Sequence, residues 1–340
     1  MNNPSVTIVR IPADAMKQEF TRIFEAIGLS PERAALCAQV FTDNSCDGVA
    51  SHGYNRVQFF VDRVQQGFFR PDAEPEKVAS LGAWEQWDGN LGLGIVNALA
   101  CTERAIELAR QYGLGCVALR NTNHWLRPGT YGWKAAQAGF IFMCWTNTIP
   151  NMPPWGGTEP RLGNNPLVLA VPRESGPVVL DMAMTQFSFG KTELYAHRNQ
   201  ELPVPGGFDR EGNLTRDPHA ILESGRPLPI GYWKGSGLSL LLDLMATLLS
   251  GGLSTYQIGW KNQEFGVSQV YIAFDASRAA TPDVIERVVS ETLAYVKSAS
   301  PTADGGDVYF PGERVLKTRQ ENLKNGIPVD KAIWEQILNL

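Results

Sequence analysis

The run NALACTERAIELARQYGLGCVALRN, residues 97–121, carries a helical pattern, a pair of glycines and a strand pattern, in that order. Apolar residues recur at helical spacing as far as Tyr112, and the β-rich CVALR begins at Cys116. Between them GLGCVA, residues 113–118, satisfies G-x-G-x-x-A, the pattern of a dinucleotide-binding turn. Such a turn holds a pyrophosphate because it leads from a strand into a helix N-terminus, where free amides face the anion. Here the order is reversed. Gly113 is therefore read as a helix C-cap that releases the chain into a strand, and not as part of a Rossmann turn.

Outward from this run the texture is mixed. CVALRN, FIFMCWTN, PLVLAVP, PVVLDMAM and QVYIAFD are short β-rich runs, and GLSLLLDLMATLLS is a helix among them, so an α/β or α+β domain with a central sheet is expected after about residue 80. Before it the chain is mostly helical. DAMKQEFTRIFEAIG places Met16, Phe20, Ile23, Phe24 and Ile27 on one face, and SPERAALCAQVF supplies Ser30 as N-cap with Pro31 behind it. SHGYNRVQFFVDRVQQG, residues 51–67, predicts a third helix with Ser51 at its cap and Gly67 at its stop. Residues 200–230, rich in Pro, Gly and polar side chains, predict a long surface loop or lid. TPDVIERVVSETLAYVKSAS and PVDKAIWEQILNL return to helix at the end.

A chain of 340 residues exceeds the roughly 250 at which single cores stop growing, so two domains are expected. Its net charge of −5 and dispersed basic residues offer no footprint for a polyanion, which argues against a nucleic-acid partner. The five cysteines form no CxxC pair, which argues against a disulfide framework and a zinc knuckle and for reduced thiols in a cytoplasmic protein. MNNPSVTIVR has neither the charged start nor the apolar run of a signal peptide, and LSLLLDLMATLL is short and carries Asp243, so no membrane association is expected.

Three places could carry chemistry. His52 and Arg56 are four residues apart and would share a helix face, combining a ring that exchanges protons near neutrality with a fork that binds carboxylate. A locally bonded histidine with an exposed arginine is the alternative. NTNHWLRPGTYGW, residues 121–133, sets Asn123, His124, Trp125 and Arg127 at a strand end, as a pocket wall or as a packed turn. Lys234, Gly235, Ser236 and Gly237 precede an apolar helix and form either an anion cradle or a cap in which Ser236 bonds the first turn. His197 and His219 stand in polar contexts and are read as exposed. No metal-ligand cluster and no G-x-S-x-G elbow occurs, so neither a metal site nor serine hydrolase chemistry is expected.

SHGYNR, NTNHWLRPGTYGW, IFMCWTNT, PPWGG, RLGNNPLVLAVP, VVLDMAMTQFSFGK and PIGYWKGSGLSLLLDL, in this order, resemble the malate/L-lactate dehydrogenase family over nearly the whole chain. The resemblance implies a non-Rossmann mixed-sheet NAD-binding domain, residues 79–299, beside a mostly helical domain built from residues 1–78 and about 300–340. It implies His52 as the acid/base residue, with Ser51, Arg56 and His124 lining the substrate pocket. It implies dinucleotide contacts at Pro177, Val178, Val179, Leu180, Asp181, Met182 and Ala183, at Trp233 and Lys234, and at Gly312, Glu313 and Arg314. Within the family the likeness is strongest to a branch that acts on a sugar acid, at LGAWEQWDGN and LPVPGGFDREGNLT among others. That branch implies a homodimer that reduces a small 2-oxo acid, 2,3-diketo-L-gulonate to 3-dehydro-L-gulonate, with NADH, NADPH remaining an alternative.

Two residues depart from the pattern: Asn164, where the family commonly has threonine, and Pro128, where the sugar-acid branch tends to glycine. They bear on substrate identity more than on reaction type. Malate or lactate, ureidoglycolate and cyclic imine carboxylates are the alternative substrates. A non-catalytic nucleotide-binding protein is the alternative from another class, and the intact Ser51-His52-Gly53 and Lys234–Gly237 motifs speak against it.

Overall fold

The structure is a computed structural model and describes residues 7–302 and 306–340. The first six residues of the opening run lie outside it, as does part of the segment around residue 300. The chain opens with strand β1 (Ile8–Ile11) and helices α1 (Ala13–Ala26) and α2 (Pro31–Cys46), then two single 3₁₀ turns (Ala50–His52, Tyr54–Arg56) and α3 (Val57–Gln65). Strands β2 (Glu76–Leu81) and β3 (Trp84–Asp88) lead into α4 (Gly94–Tyr112), β4 (Leu114–Thr122), α5 (Gly129–Gln137), β5 (Phe140–Thr146), β6 (Leu167–Val171) and β7 (Val178–Met182). After α6 (Phe189–His197), β8 (Gly207–Phe208), β9 (Leu214–Thr215) and α7 (Pro218–Ser224) come the long α8 (Trp233–Ser250), α9 (Thr255–Gly259) and β10 (Val267–Asp275). The chain closes with α10 (Pro282–Lys297), α11 (Glu313–Asn325), β11 (Ile327–Asp330) and α12 (Lys331–Leu338).

The seven-stranded sheet has the order β2-β3-β4-β10-β5-β6-β7. Only β3 and β4 run parallel, and the other neighbours are antiparallel. A doubly wound parallel sheet is thereby excluded. One face is covered by α4 and α5, where Ala98, Ala105, Trp125, Tyr131, Phe142 and Tyr271 pack without exposure to solvent. The other face meets α8, where Trp145 donates its ring N–H to the carbonyl of Leu242 at 3.0 Å.

A separate core holds the helical layer. Phe20, Phe24, Phe41 and Phe60 from α1, α2 and α3 pack ring against ring, joined by Ile327 and Val329 of β11 and Ile337 of α12. β1 and β11 pair antiparallel, Ile8 opposite Asp330, so the two ends of the chain share this layer. Ser30 caps α2 as its position predicts. The strand β2 begins at Glu76, so the sheet starts slightly before residue 79.

GLGCVA resolves as its order predicts. Gly113 ends α4 in the left-handed conformation (φ 89°), and β4 begins at Leu114. Gly115 has a packing role: a Cβ there would collide with the carbonyl oxygen of Ala105 and lie 2.7 Å from Leu108 Cβ, so its bare backbone lets α4 press onto β4. Two expectations are corrected. Residues 51–56 are not the start of a helix, because the turns break at Gly53 and α3 begins only at Val57. Residues 200–230 are not an open loop, because Leu202, Ile221 and Phe187 bury one another beneath the β8–β9 hairpin and α7, which Asp217 caps. Composition hid this small core behind many prolines and glycines.

Replacing Gly115 by alanine should cost about 3 kcal/mol through overpacking against α4, measured by urea denaturation; a loss below about 0.5 kcal/mol would mean that the helix can move aside.

Candidate active site

A cavity of about 1330 Å³ lies where the 3₁₀ turns, the segment after β4, the edge of β7, α6 and the start of α11 converge. It exceeds the usual range for one small ligand, about 300–1,000 Å³, and so has room for a nucleotide and a substrate together.

The end of α2 holds the histidine turn. Asn44 Nδ2 donates to the carbonyl of His52 at 2.9 Å, and Ser45 Oγ accepts from the amide of Tyr54 at 2.9 Å. Gly53 lies so close to Ser45 that a Cβ would strike its hydroxyl and approach its amide nitrogen to 2.9 Å. His52 and Arg56 therefore reach the cavity from separate turns and not as neighbours on one helix face, which corrects the spacing argument while leaving both in the wall. Ser51 does not cap a helix; its hydroxyl sits 3.1 Å from His52 Nδ1.

His124 arrives from the segment after β4 and stacks on His52, ring centroids 5.9 Å apart and planes within 8°. The amide of Leu126 donates to His124 Nδ1 at 3.1 Å, and because an amide only donates, that nitrogen carries no proton. Neutral His124 thus carries its hydrogen on Nε2. Phe59 packs edge-on to His124, and Arg56 lies 4.8 Å over the Phe59 ring with its Nε buried and without a partner. Burial, then Arg56 and Arg127, push the His52 pKa down to about 4. Burial, then His52 and Arg56, hold His124 well below the ordinary imidazole range. Both rings are neutral at pH 7.

Arg127 is buried beside them, 4% exposed, and forms ion pairs with Asp47 and, at 3.6 Å, with Asp181. Asp47 is shared with Arg319 of α11 at 2.8 Å, and Arg319 also pairs with Asp43. Asp181 Oδ2 accepts from the amide of Gly129 at the start of α5. Burial raises the Asp181 pKa, against the pull of Arg127 and that amide.

Of the expected dinucleotide residues, Val179, Leu180, Asp181, Ala183, Gly312 and Arg314 line the cavity. Pro177, Val178, Met182, Glu313, Trp233 and Lys234 do not. β7 is the last strand of the sheet, and the amide of Val179 reaches across its outer edge to the carbonyl of Pro311 at 3.1 Å. Gly312 lies against that edge in the left-handed region (φ 91°), where a Cβ would come within 3.2 Å of Val179 N. This edge lines the cavity together with the cations of Arg314 and Arg198, which fits an extended, anionic nucleotide.

Lys234 is exposed in the first turn of α8, and Glu313 pairs with Lys297 and accepts from the amide of Phe310. The amides of Lys234, Gly235 and Ser236 donate to the carbonyls of Gly231, Ile230 and Tyr232, so the backbone cradle expected there is internally satisfied. α8 begins at Trp233, ahead of the glycines, and Ser236 accepts from the amide of Trp155 instead of capping the helix.

His197 also lines the cavity mouth, while His219 stands apart beside Asn199. Sequence reasoning assigned no role to Asn147, Thr148, Asn151, Glu264 and Gln269, all in the wall, and named Asn164 only as a departure. A signal existed for some of them: the apolar runs FIFMCWTNT and RLGNNPLV meet in polar amides, where a strand leaves the core.

The profile of the malate/L-lactate dehydrogenase family matches residues 11–338. The chain belongs to the malate/L-lactate dehydrogenase family. It is 43% identical over 331 residues to a 2,3-diketo-L-gulonate reductase of Citrobacter koseri, covering 97% of this chain and 99% of that one. It is also 43% identical over 334 residues to a 2,3-diketo-L-gulonate reductase of Pasteurella multocida, covering 98% and 100%. A solved malate dehydrogenase from Entamoeba histolytica has the same fold, with TM-score 0.93 at 24% identity over 98% of this chain and 99% of that one. As a malate/L-lactate dehydrogenase family member the chain is an oxidoreductase, and GLGCVA, which leads from a helix into a strand, is not a Rossmann turn in it.

Two measurements check this site. Replacing Arg127 by methionine strips Asp181 of its ion-pair partner and should cost about 3–5 kcal/mol in urea denaturation. His52 titrates near 4 when folded against 6.5 for the ordinary ring, so the unfolded chain takes up the proton first. Stability should therefore be intact above pH 6.5 and decline as the pH falls from 6.5 towards 4, and His52→Asn should flatten part of that decline.

Proposed function

We propose that the chain reduces the 2-carbonyl of 2,3-diketo-L-gulonate to the hydroxyl of 3-dehydro-L-gulonate, using NADH, with His52 as proton donor. The observation that carries the reading is the parallel pair of neutral imidazoles, His52 and His124, beside Arg56 in a cavity that the edge of β7 also lines. The two sugar-acid reductases at 43% identity supply the substrate class.

Arg56, which lines the cavity and forms no ion pair among the described residues, holds the substrate carboxylate. His124 donates from Nε2 to the carbonyl oxygen or the oxygen beside it. A bound reduced nicotinamide supplies hydride to the carbonyl carbon. His52 gives its proton to the oxygen, so that the negative charge is quenched as it forms. The depressed pKa of His52 belongs to a cavity in which Arg56 and Arg127 are the dominant charges. A substrate carboxylate on Arg56 offsets that field and raises His52, so binding and proton uptake occur together. In the oxidative direction neutral His52 is already the base. Ser51, 3.1 Å from Nδ1, orients the ring.

Val179, Leu180, Asp181, Ala183, Gly312 and Arg314 would hold the dinucleotide, with Pro177, Val178, Met182, Glu313, Trp233 and Lys234 contributing outside the cavity of a single chain. The outward face of α8 exposes Leu241, Leu244 and Leu248 beside Trp233, and we assign it to the interface of a homodimer. Among the described residues no helix is long and apolar enough to cross a membrane. The five free cysteines agree with work in the reducing cytoplasm. The helical layer from the two chain ends is taken as one domain and the sheet with its helices as the other.

His52→Ala should lower kcat by about two to four orders of magnitude with nucleotide affinity nearly unchanged, read by stopped-flow absorbance and nucleotide fluorescence. Full activity in that variant would remove His52 as the donor. Arg56→Gln should raise KM for the 2-oxo acid and move the His52 limb of the pH profile upward, since Arg56 depresses that ring. Turnover of 2,3-diketogulonate should exceed that of pyruvate and oxaloacetate, and NADH should be preferred to NADPH.

A further inference from the structure

One wall of the cavity has polar groups that the chain leaves unfilled. Glu264 Oε2 accepts from the amide of Ile149 at 3.2 Å, while Oε1 has no hydrogen-bond donor among the described residues. Burial raises the Glu264 pKa, against the lowering pull of the Ile149 amide and of Arg56 and Arg63, neither of which forms an ion pair with it among the described residues. Arg63 is committed elsewhere: it donates to Gln263 Oε1 at 2.6 Å and lies over the rings of Phe59 and Phe68. Beside Ile149, Asn164 Oδ1 accepts from Thr148 Oγ1 at 3.1 Å and from Asn151 Nδ2 at 2.9 Å. This leaves Asn164 Nδ2 without an acceptor among the described residues, while Asn151, whose Oδ1 is fully buried, serves to hold Asn164 in place. Glu264, Asn151 and Asn164 all line the cavity that holds His52 and Arg56.

The unfilled groups that the cavity can reach are one acceptor, Glu264 Oε1, and one donor, Asn164 Nδ2. A short apolar side chain would leave both bare, and buried polar groups without partners penalise a ligand that cannot supply them. Hydroxyl groups, each both donor and acceptor, satisfy both. A second carboxylate would lie against Glu264 with no cation committed to it, and like charges at close quarters exclude a ligand.

We propose that Glu264, with Asn151 and Asn164, is the specificity wall of this cavity: it accepts hydroxyl groups on the carbons beyond the reacting carbonyl and turns away a second carboxylate. This rests on the proposed reduction of a 2-oxo acid at His52 and adds which 2-oxo acids enter.

The test is kcat/KM of the full-length protein and of Glu264→Gln and Asn164→Ala with 2,3-diketogulonate, pyruvate and oxaloacetate, each with NADH and with NADPH. Nucleotide fluorescence and a thermal melt check that the variants fold. Glu264→Gln should raise kcat/KM for oxaloacetate about tenfold, leave pyruvate within about twofold and lower diketogulonate about threefold to tenfold. Asn164→Ala, which keeps the charge, should lower diketogulonate about tenfold with pyruvate little changed and oxaloacetate still poor. Equal changes for all three substrates would make these residues structural and overturn the wall, as would variants indistinguishable from the parent. A parent protein that reduces pyruvate or oxaloacetate as well as it reduces diketogulonate, with ratios that neither substitution moves, would overturn the wall alone. A parent protein silent on all three would overturn the proposed reduction, and the wall with it.

Discussion

The buried guanidinium of Arg127 joins the two layers of this protein. It reaches from the segment after β4 to Asp47 at the end of α2, and on its other side to Asp181 of β7, while Arg319 of α11 closes the network on Asp47 and Asp43. Charges this deep persist only when each has its partner, so the position of every element they sit on is constrained by the others. The end of α2 is also where Asn44 and Ser45 grip the His52 turn. The network therefore sets the distance between the helical layer that bears the histidine and the sheet edge that faces it.

The same arginine shapes the chemistry. Together with burial and Arg56 it keeps His52 neutral at pH 7. A buried imidazole near two cations is a poor proton carrier until an anion arrives, and a good one afterwards. The amide of Leu126 on Nδ1 leaves His124 to present Nε2–H. Two stacked rings of the same residue type thus present different groups because one has a backbone amide on Nδ1 and the other a serine hydroxyl.

Much of the fold was legible along the chain. The helical spacing of Met16, Phe20, Ile23 and Phe24, the cap at Ser30 and the reversed order of GLGCVA all depend on neighbours within a few residues, and the structure keeps them. The readings that failed also rested on local spacing, at places where distant contacts decide. A helix through residues 51–56 is interrupted because Gly53 is seated against Ser45. Lys234, Gly235 and Ser236 do not open a cradle, because the turn at 230–232 uses their amides. Leu202 and Ile221 find each other across a stretch whose composition reads as loop.

By itself, then, the sequence determined the family, the alternation of helix and strand, and the residue types available for proton exchange and carboxylate binding, since these follow from short-range periodicity and ordered motifs. Only the tertiary structure decided that His52 and His124, seventy-two positions apart in the chain, lie 5.9 Å apart as parallel rings, and that Glu264 stands in the same wall as Asn164. The physical reason is that a side chain's charge state and free hydrogen-bonding capacity are properties of its surroundings. Those surroundings are assembled from strands and turns that meet only when the sheet closes its order and the two chain ends pair.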